Sequence, residues 1–149
     1  MTMAMSLLTS GLRLTQPERR FVAGAWLLAP AVTLSLRVVG FRKTVEIVRG
    51  WVTLGRPHAG LTVSVERAEQ LVARAFQLTL AHDSCLPKSI VQLALHRKHG
   101  DRVKLVIGVR RDGHHGDIDI GFEGHAWVEA VDSPSRDGKH AVILELASE

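Results

Sequence analysis

The chain has 149 residues, 46% apolar and 23% charged, which fits one domain, or one domain with a helical annex, and excludes a disordered tail, a collagen and a coiled-coil rod. Its net charge of +4 hides a division: residues 1–111 carry 17 Lys and Arg against 6 Asp and Glu, whereas residues 112–149 carry 2 against 9. The one cysteine, Cys85, excludes an internal disulfide and any multi-cysteine zinc site.

Residues 1–16 read as a loose leader. Pro17, a good first-turn residue, opens a helix together with Glu18. Phe21 to Leu36 then runs 16 residues without a charge. That is short of the ~20 residues a membrane-spanning helix needs, and Pro30 interrupts it. The expectation is a pair of helices broken at Pro30, the second stopping at Gly40, with no stable membrane insertion. No cleavable signal segment is read, so a cytoplasmic location is expected. Phe41, Val45, Val48 and Val52 fall at helical spacings, and Gly55-Arg56-Pro57 is a break. Ser64 is a candidate N-cap for the next helix, whose apolar stripe is Val65, Ala68, Val72, Ala75 and Phe76. His82-Asp83-Ser84 is a polar turn. Cys85 follows at the head of a helix that tolerates Pro87 in its first turn and ends at Gly100.

Beyond Gly100 the period turns extended. Strands are expected at Val103–Val109, His125–Val131 and His140–Leu146. A further alternating stretch spans Asp117–Phe122, polar loops lie at 111–116 and a turn at 132–139. The fold class is α+β: a helical first half, then an antiparallel sheet packed on the helix that starts at Cys85. There is no Tyr, only seven Phe and Trp, and no stretch mixing aromatic with basic residues. No nucleic-acid partner is therefore expected, although the basic body favours acidic partners.

Cys85 at a helix N-terminus carries the chemistry. The unpaired N–H groups and the helix dipole there favour an anion, whether a thiolate or the oxyanion of an attacked carbonyl. His125 opens a strand that can face the head of that helix. Spacing alone leaves open that Cys85 is an inert buried residue. His114-His115 with Asp117 and Asp119 reads as a solvated loop rather than a metal site. His96 and His99 read as the polar face of the Cys85 helix, and Trp127 as a wall aromatic. Glu129, on the strand face of His125, reads as an active-site acid or an exposed charge. No cofactor and no metal are expected.

Three local words carry a resemblance. They are Ser84-Cys85-Leu86-Pro87-Lys88-Ser89, Leu105-Val106-Ile107-Gly108-Val109-Arg110, and Phe122-Glu123-Gly124-His125-Ala126-Trp127-Val128-Glu129. Together they resemble the transglutaminase-like cysteine peptidases of lasso-peptide biosynthesis, which remove the leader from a precursor peptide. The resemblance implies a papain/transglutaminase-like core at 59–149 behind a helical region at 1–58. It implies Cys85 as nucleophile and His125 as general base. It also places an acid about twelve positions after the histidine, which is Asp137. If the strands at 125–131 and 140–146 pair as a hairpin, Ala126 lies opposite Glu145, and Glu145 becomes the preferred orienting acid. The implied partners are the precursor's leader region, a separate small leader-binding protein and an ATP-dependent lasso cyclase. A transglutaminase-like acyltransferase or amide hydrolase acting on another substrate, and a non-catalytic interaction module, are the alternatives.

Overall fold

Thr15 turns the chain into its first helix: its N–H and its hydroxyl donate to the Glu18 carboxylate at 2.7 and 2.9 Å, tying down the first turn. In the computed structural model, which describes residues 14–53, 63–79, 84–111, 122–132 and 140–146, four helices precede three strands. They are α1 (Gln16–Val38), α2 (Gly40–Thr53), α3 (Val65–Gln77), α4 (Cys85–Lys98), β1 (Val103–Arg111), β2 (Phe122–Ala130) and β3 (Ala141–Leu146). This is the α+β arrangement expected, with the helical half first.

The expected break at Pro30 is absent: α1 is one helix with Pro30 inside it. Packing explains the difference. Phe21, Val22, Ala25, Ala29 and Val32 form one buried stripe that runs straight past Pro30. Burying Phe21 and the two valines is worth about 5–8 kcal/mol, against about 3 kcal/mol for a proline in a helix interior. Pro30 itself faces outward and is exposed. With 23 residues and a mean hydropathy of 1.6 over its most apolar window, α1 is long and apolar enough to cross a bilayer by length and composition. Its buried stripe instead joins the core, while Leu27, Leu34 and Val38 remain exposed.

Gly40 links α1 to α2 at φ +82, a left-handed conformation that favours glycine. Ser64 caps α3 as its sequence suggests, accepting the Arg67 N–H at 3.3 Å. Arg67 also donates from Nε to Glu18 at 2.6 Å, joining the heads of α1 and α3. The expected boundary at residues 58 and 59 lies outside the described residues. The core runs through both halves of the chain: Phe21, Leu71, Phe76, Ile90, Leu93 and Leu105 belong to one buried cluster.

The strand order is β2-β1-β3, and both pairings are antiparallel. The expected hairpin between the last two strands is thus replaced by a central β1. The composition of β1 accounts for this, because Val103, Leu105 and Val106 are all buried. A strand that is apolar on both faces gains most from a central place, and the long stretch between β2 and β3 does not force a tight hairpin. β3 is exposed from Ala141 to Glu145. Its pairing with β1 shifts register between Ile107 and Gly108: Ile107 is opposite Leu144 and Gly108 opposite Val142, so Ile143 is the extra residue.

Candidate active site

The head of α4 is built differently from the head of α3. Ser84 is extended, and its side chain makes no capping bond. The first N–H groups of a helix have no partner within it, and Pro87 has no N–H to offer. The donors at this end are therefore the Cys85 and Leu86 amides, next to the sulfur. The Cys85 thiol is half-buried and points toward the Gly124 carbonyl, with Sγ at 4.0 Å from the oxygen. One turn on, the buried Ser89 hydroxyl donates to the Ala126 carbonyl at 2.8 Å. Ser89 thus docks the helix head on β2. The one local signal for this serine is its place in the word at 84–89.

Along β2 the pleat divides the side chains. Ala126 and Val128 are buried, and Val128 joins the main core with Leu105 and Val103. His125, Trp127 and Glu129 project from the opposite face, beside Gly108, Val106 and Lys104 of β1. The His125 imidazole stacks on Trp127 with ring centroids 5.5 Å apart and planes 21° apart. The His140 ring completes a trio, 5.4 Å from His125 and 5.9 Å from Trp127. From sequence, His140 is only the start of a strand. It reaches the site because the chain crosses to the far side of β1, a long-range event without a local signature.

Cys85 and His125 line one cavity of about 140 Å³ at the β2 edge, with Glu69 and Val72 from α3, Lys88 and Gln92 from α4, and Trp127. Trp127 is the wall aromatic expected of it. Glu129 is not an exposed charge: it is 2% exposed, accepts the Trp127 Nε1–H at 2.7 Å and lies 3.7 Å from the Lys104 ammonium.

Glu145 is not where the hairpin register would put it. Ala126 is opposite Ile107, and Glu145 is opposite Val106 on the other side of β1. Two strand spacings, about 10 Å, separate the backbones of Glu145 and Trp127. The Glu145 carboxylate is 3.4 Å from Lys104 Nζ. Among the described residues no carboxylate is hydrogen-bonded to His125. Asp137, His114, His115, Asp117 and Asp119 lie outside the described residues. His96 corrects a further expectation. It belongs to the buried side of α4, 1% exposed, with Nδ1 at 2.7 Å from Asp101 and its ring edge-on to Phe21. The helix is covered on nearly every side from Pro87 to His96, so it has no polar face there. Among the described residues no group of three or more His, Cys, Asp or Glu is placed to hold a metal ion.

The sequence profile of the transglutaminase-like superfamily matches residues 28–143, most of the chain. The chain belongs to the transglutaminase-like superfamily. That superfamily is typically catalytic, with chemistry of the cysteine-protease and acyltransferase type. The match begins inside α1 and ends inside β3, so it takes in both Cys85 and His125. No curated protein and no solved structure matches the chain.

Proposed function

We propose that this transglutaminase-like chain is a cysteine peptidase that removes the leader from a ribosomally made lasso-peptide precursor. The observation that carries the reading is that Cys85, at an uncapped helix head, and His125, on a strand, line the same cavity. The finer assignment, to lasso-peptide maturation, is supported by the three words at 84–89, 105–110 and 122–129.

In the proposed reaction His125 takes the proton from Cys85 Sγ, and the thiolate attacks the carbonyl carbon at the leader–core junction. A C–S bond forms, and the carbonyl oxygen becomes an oxyanion held by the Cys85 and Leu86 N–H groups. As the oxyanion collapses, the C–N bond breaks, and His125 gives its proton to the leaving amine, the new N-terminus of the core. Water then attacks the thioester while His125 removes its proton. The leader leaves as a carboxylic acid, and the thiol is restored. Of the two candidate acids, Glu145 is held by Lys104 across β1, which leaves Asp137 as the residue to test for orienting His125. A separate leader-binding protein would present the substrate, a lasso cyclase would act next, and the reaction would take place in the cytoplasm.

The test is precursor cleavage followed by mass spectrometry, with and without the leader-binding partner. Release of leader and core by the wild-type chain, and none by Cys85→Ala, is the expected result. An intact precursor under all conditions, or cleavage by Cys85→Ala at more than a few per cent of the wild-type rate, overturns the reading.

A further inference from the structure

The imidazole of His125 rests on the indole of Trp127, and that indole is tied at its other end. Its Nε1–H donates to the Glu129 carboxylate at 2.7 Å. Its far edge lies over Gly108, where a Cβ would sit 2.9 Å from Cη2 and 3.1 Å from Cζ3. Glu129 is in turn 3.7 Å from Lys104, whose ammonium also lies 3.4 Å from Glu145. A chain of contacts therefore runs along one face of the sheet, from Glu145 through Lys104, Glu129 and Trp127 to His125.

Stability alone does not account for a carboxylate at position 129. Glu129 is 2% exposed, and taking an ion pair out of water costs several kcal/mol per ion, so well-packed apolar residues in its place are often neutral or stabilising. What the carboxylate supplies is direction. Apolar contacts leave an indole free to rock about its own bonds, whereas one short, charge-assisted bond to its N–H fixes the ring in its plane. We propose that Glu129, held by Lys104, is a positioning residue: it clamps the Trp127 indole into a fixed platform that sets where the His125 imidazole stands at the rim of the cavity it shares with Cys85. This rests on the reading of Cys85 and His125 as the reacting pair. Glu129 touches no reacting atom and acts through Trp127.

Three variants test it: Glu129→Gln, the double variant Lys104→Met/Glu129→Leu, and His125→Ala. Each is assayed for single-turnover precursor cleavage, for the pH profile of Cys85 alkylation by iodoacetamide, and for its melting temperature. The charged groups near the pair are Glu69 and Lys88 in the cavity, His140 beside His125, and Lys104, Glu129 and Glu145 on the sheet face. The double variant therefore has to be read against Glu129→Gln, which leaves Lys104 in place. Gln keeps an acceptor for the indole and should stay within about threefold of the wild-type cleavage rate. The double variant should lose about tenfold in cleavage, since small misplacements of a reacting group are costly. It should also shift the alkylation profile toward that of His125→Ala, while melting no lower than the wild type. A double variant that cleaves and alkylates like the wild type overturns the proposal, as does one that slows only because it melts lower, with an unchanged alkylation profile. If His125→Ala itself leaves the alkylation profile unchanged, the failure lies with the Cys85–His125 pair and not with Glu129 alone.

Discussion

Gly108 shows how tightly the residues around His125 are fitted. A Cβ at this position would stand 2.9 Å from both His140 Cβ and Trp127 Cη2, closer than carbon atoms approach without moving. Gly108→Ala must push the ring trio off β1, although it removes no reactive group. We expect about a tenfold loss of cleavage, on the scale of a sub-ångström misplacement, with the protein still folded by circular dichroism. An unchanged rate would mean that the trio is loose. At the proposed reacting pair, Cys85→Ala and His125→Ala should each lower single-turnover cleavage by about a thousandfold or more. Between the acids, Asp137→Asn should cost more activity than Glu145→Gln, because Glu145 is engaged by Lys104. The reverse order of rates would return the orienting role to Glu145.

The elements carry their own tests. If α1 is one helix, Pro30 is a helix-interior proline on an exposed face, and Pro30→Ala restores a backbone donor. It should raise the unfolding free energy by up to the roughly 3 kcal/mol that separates the two residues in helix interiors, read as a higher melting temperature. A pair of helices with Pro30 in the first turn of the second would show no gain. The junction of α1 and α3 is sensitive to acid. The Arg67 guanidinium, bonded to Glu18, and then the Thr15 N–H hold the Glu18 carboxyl down to about 2 from 4.5. A depressed folded-state pKa gives stability that is present above about pH 4.5 and is lost as pH falls toward 2. Glu18→Gln should flatten that part of the stability–pH curve in urea titrations, and an unaltered slope would place the acid sensitivity elsewhere. The elements were largely legible in the sequence: Ser64 caps α3, Gly100 follows α4, and the extended runs at 103–109, 125–131 and 140–146 became strands. Pro30 misled because a local rule was outweighed by a buried stripe that only tertiary packing reveals. The sheet order misled because alternation identifies strands but not their neighbours. That one error moved Glu145 away from His125 and hid His140.

At the scale of the whole molecule, the proposed reaction needs a leader several residues long to be held beside Cys85 and His125. We expect the isolated chain to cleave slowly and to need a leader-binding partner for full rate, since positioning a substrate can be worth several kcal/mol of a barrier. Residues 1–111, with 17 basic side chains against 6 acidic ones, favour an acidic leader or an acidic partner face. The assisted rate should then fall as salt rises from low to moderate. Equal rates with and without the partner would remove it from the mechanism, and an assisted rate indifferent to salt would remove only the electrostatic contribution. What was legible here was the transglutaminase-like superfamily, because Cys85 and His125 each sit in a local word within the matched residues.

The exposed outer strand has a practical consequence for anyone purifying the protein. β3 lies at the end of the sheet, and its Val142, Ile143 and Leu144 are 42%, 62% and 37% exposed. A water-facing apolar strand at a sheet edge is a template for runaway stacking of chains. Of these three, Ile143 is the most exposed, and as the extra residue in the register it lacks a partner position on β1. A lysine there would act as a gatekeeper. Ile143→Lys should raise the concentration at which stored samples begin to scatter light, with no change in cleavage rate. Equal turbidity in the two proteins would trace the clouding to another surface.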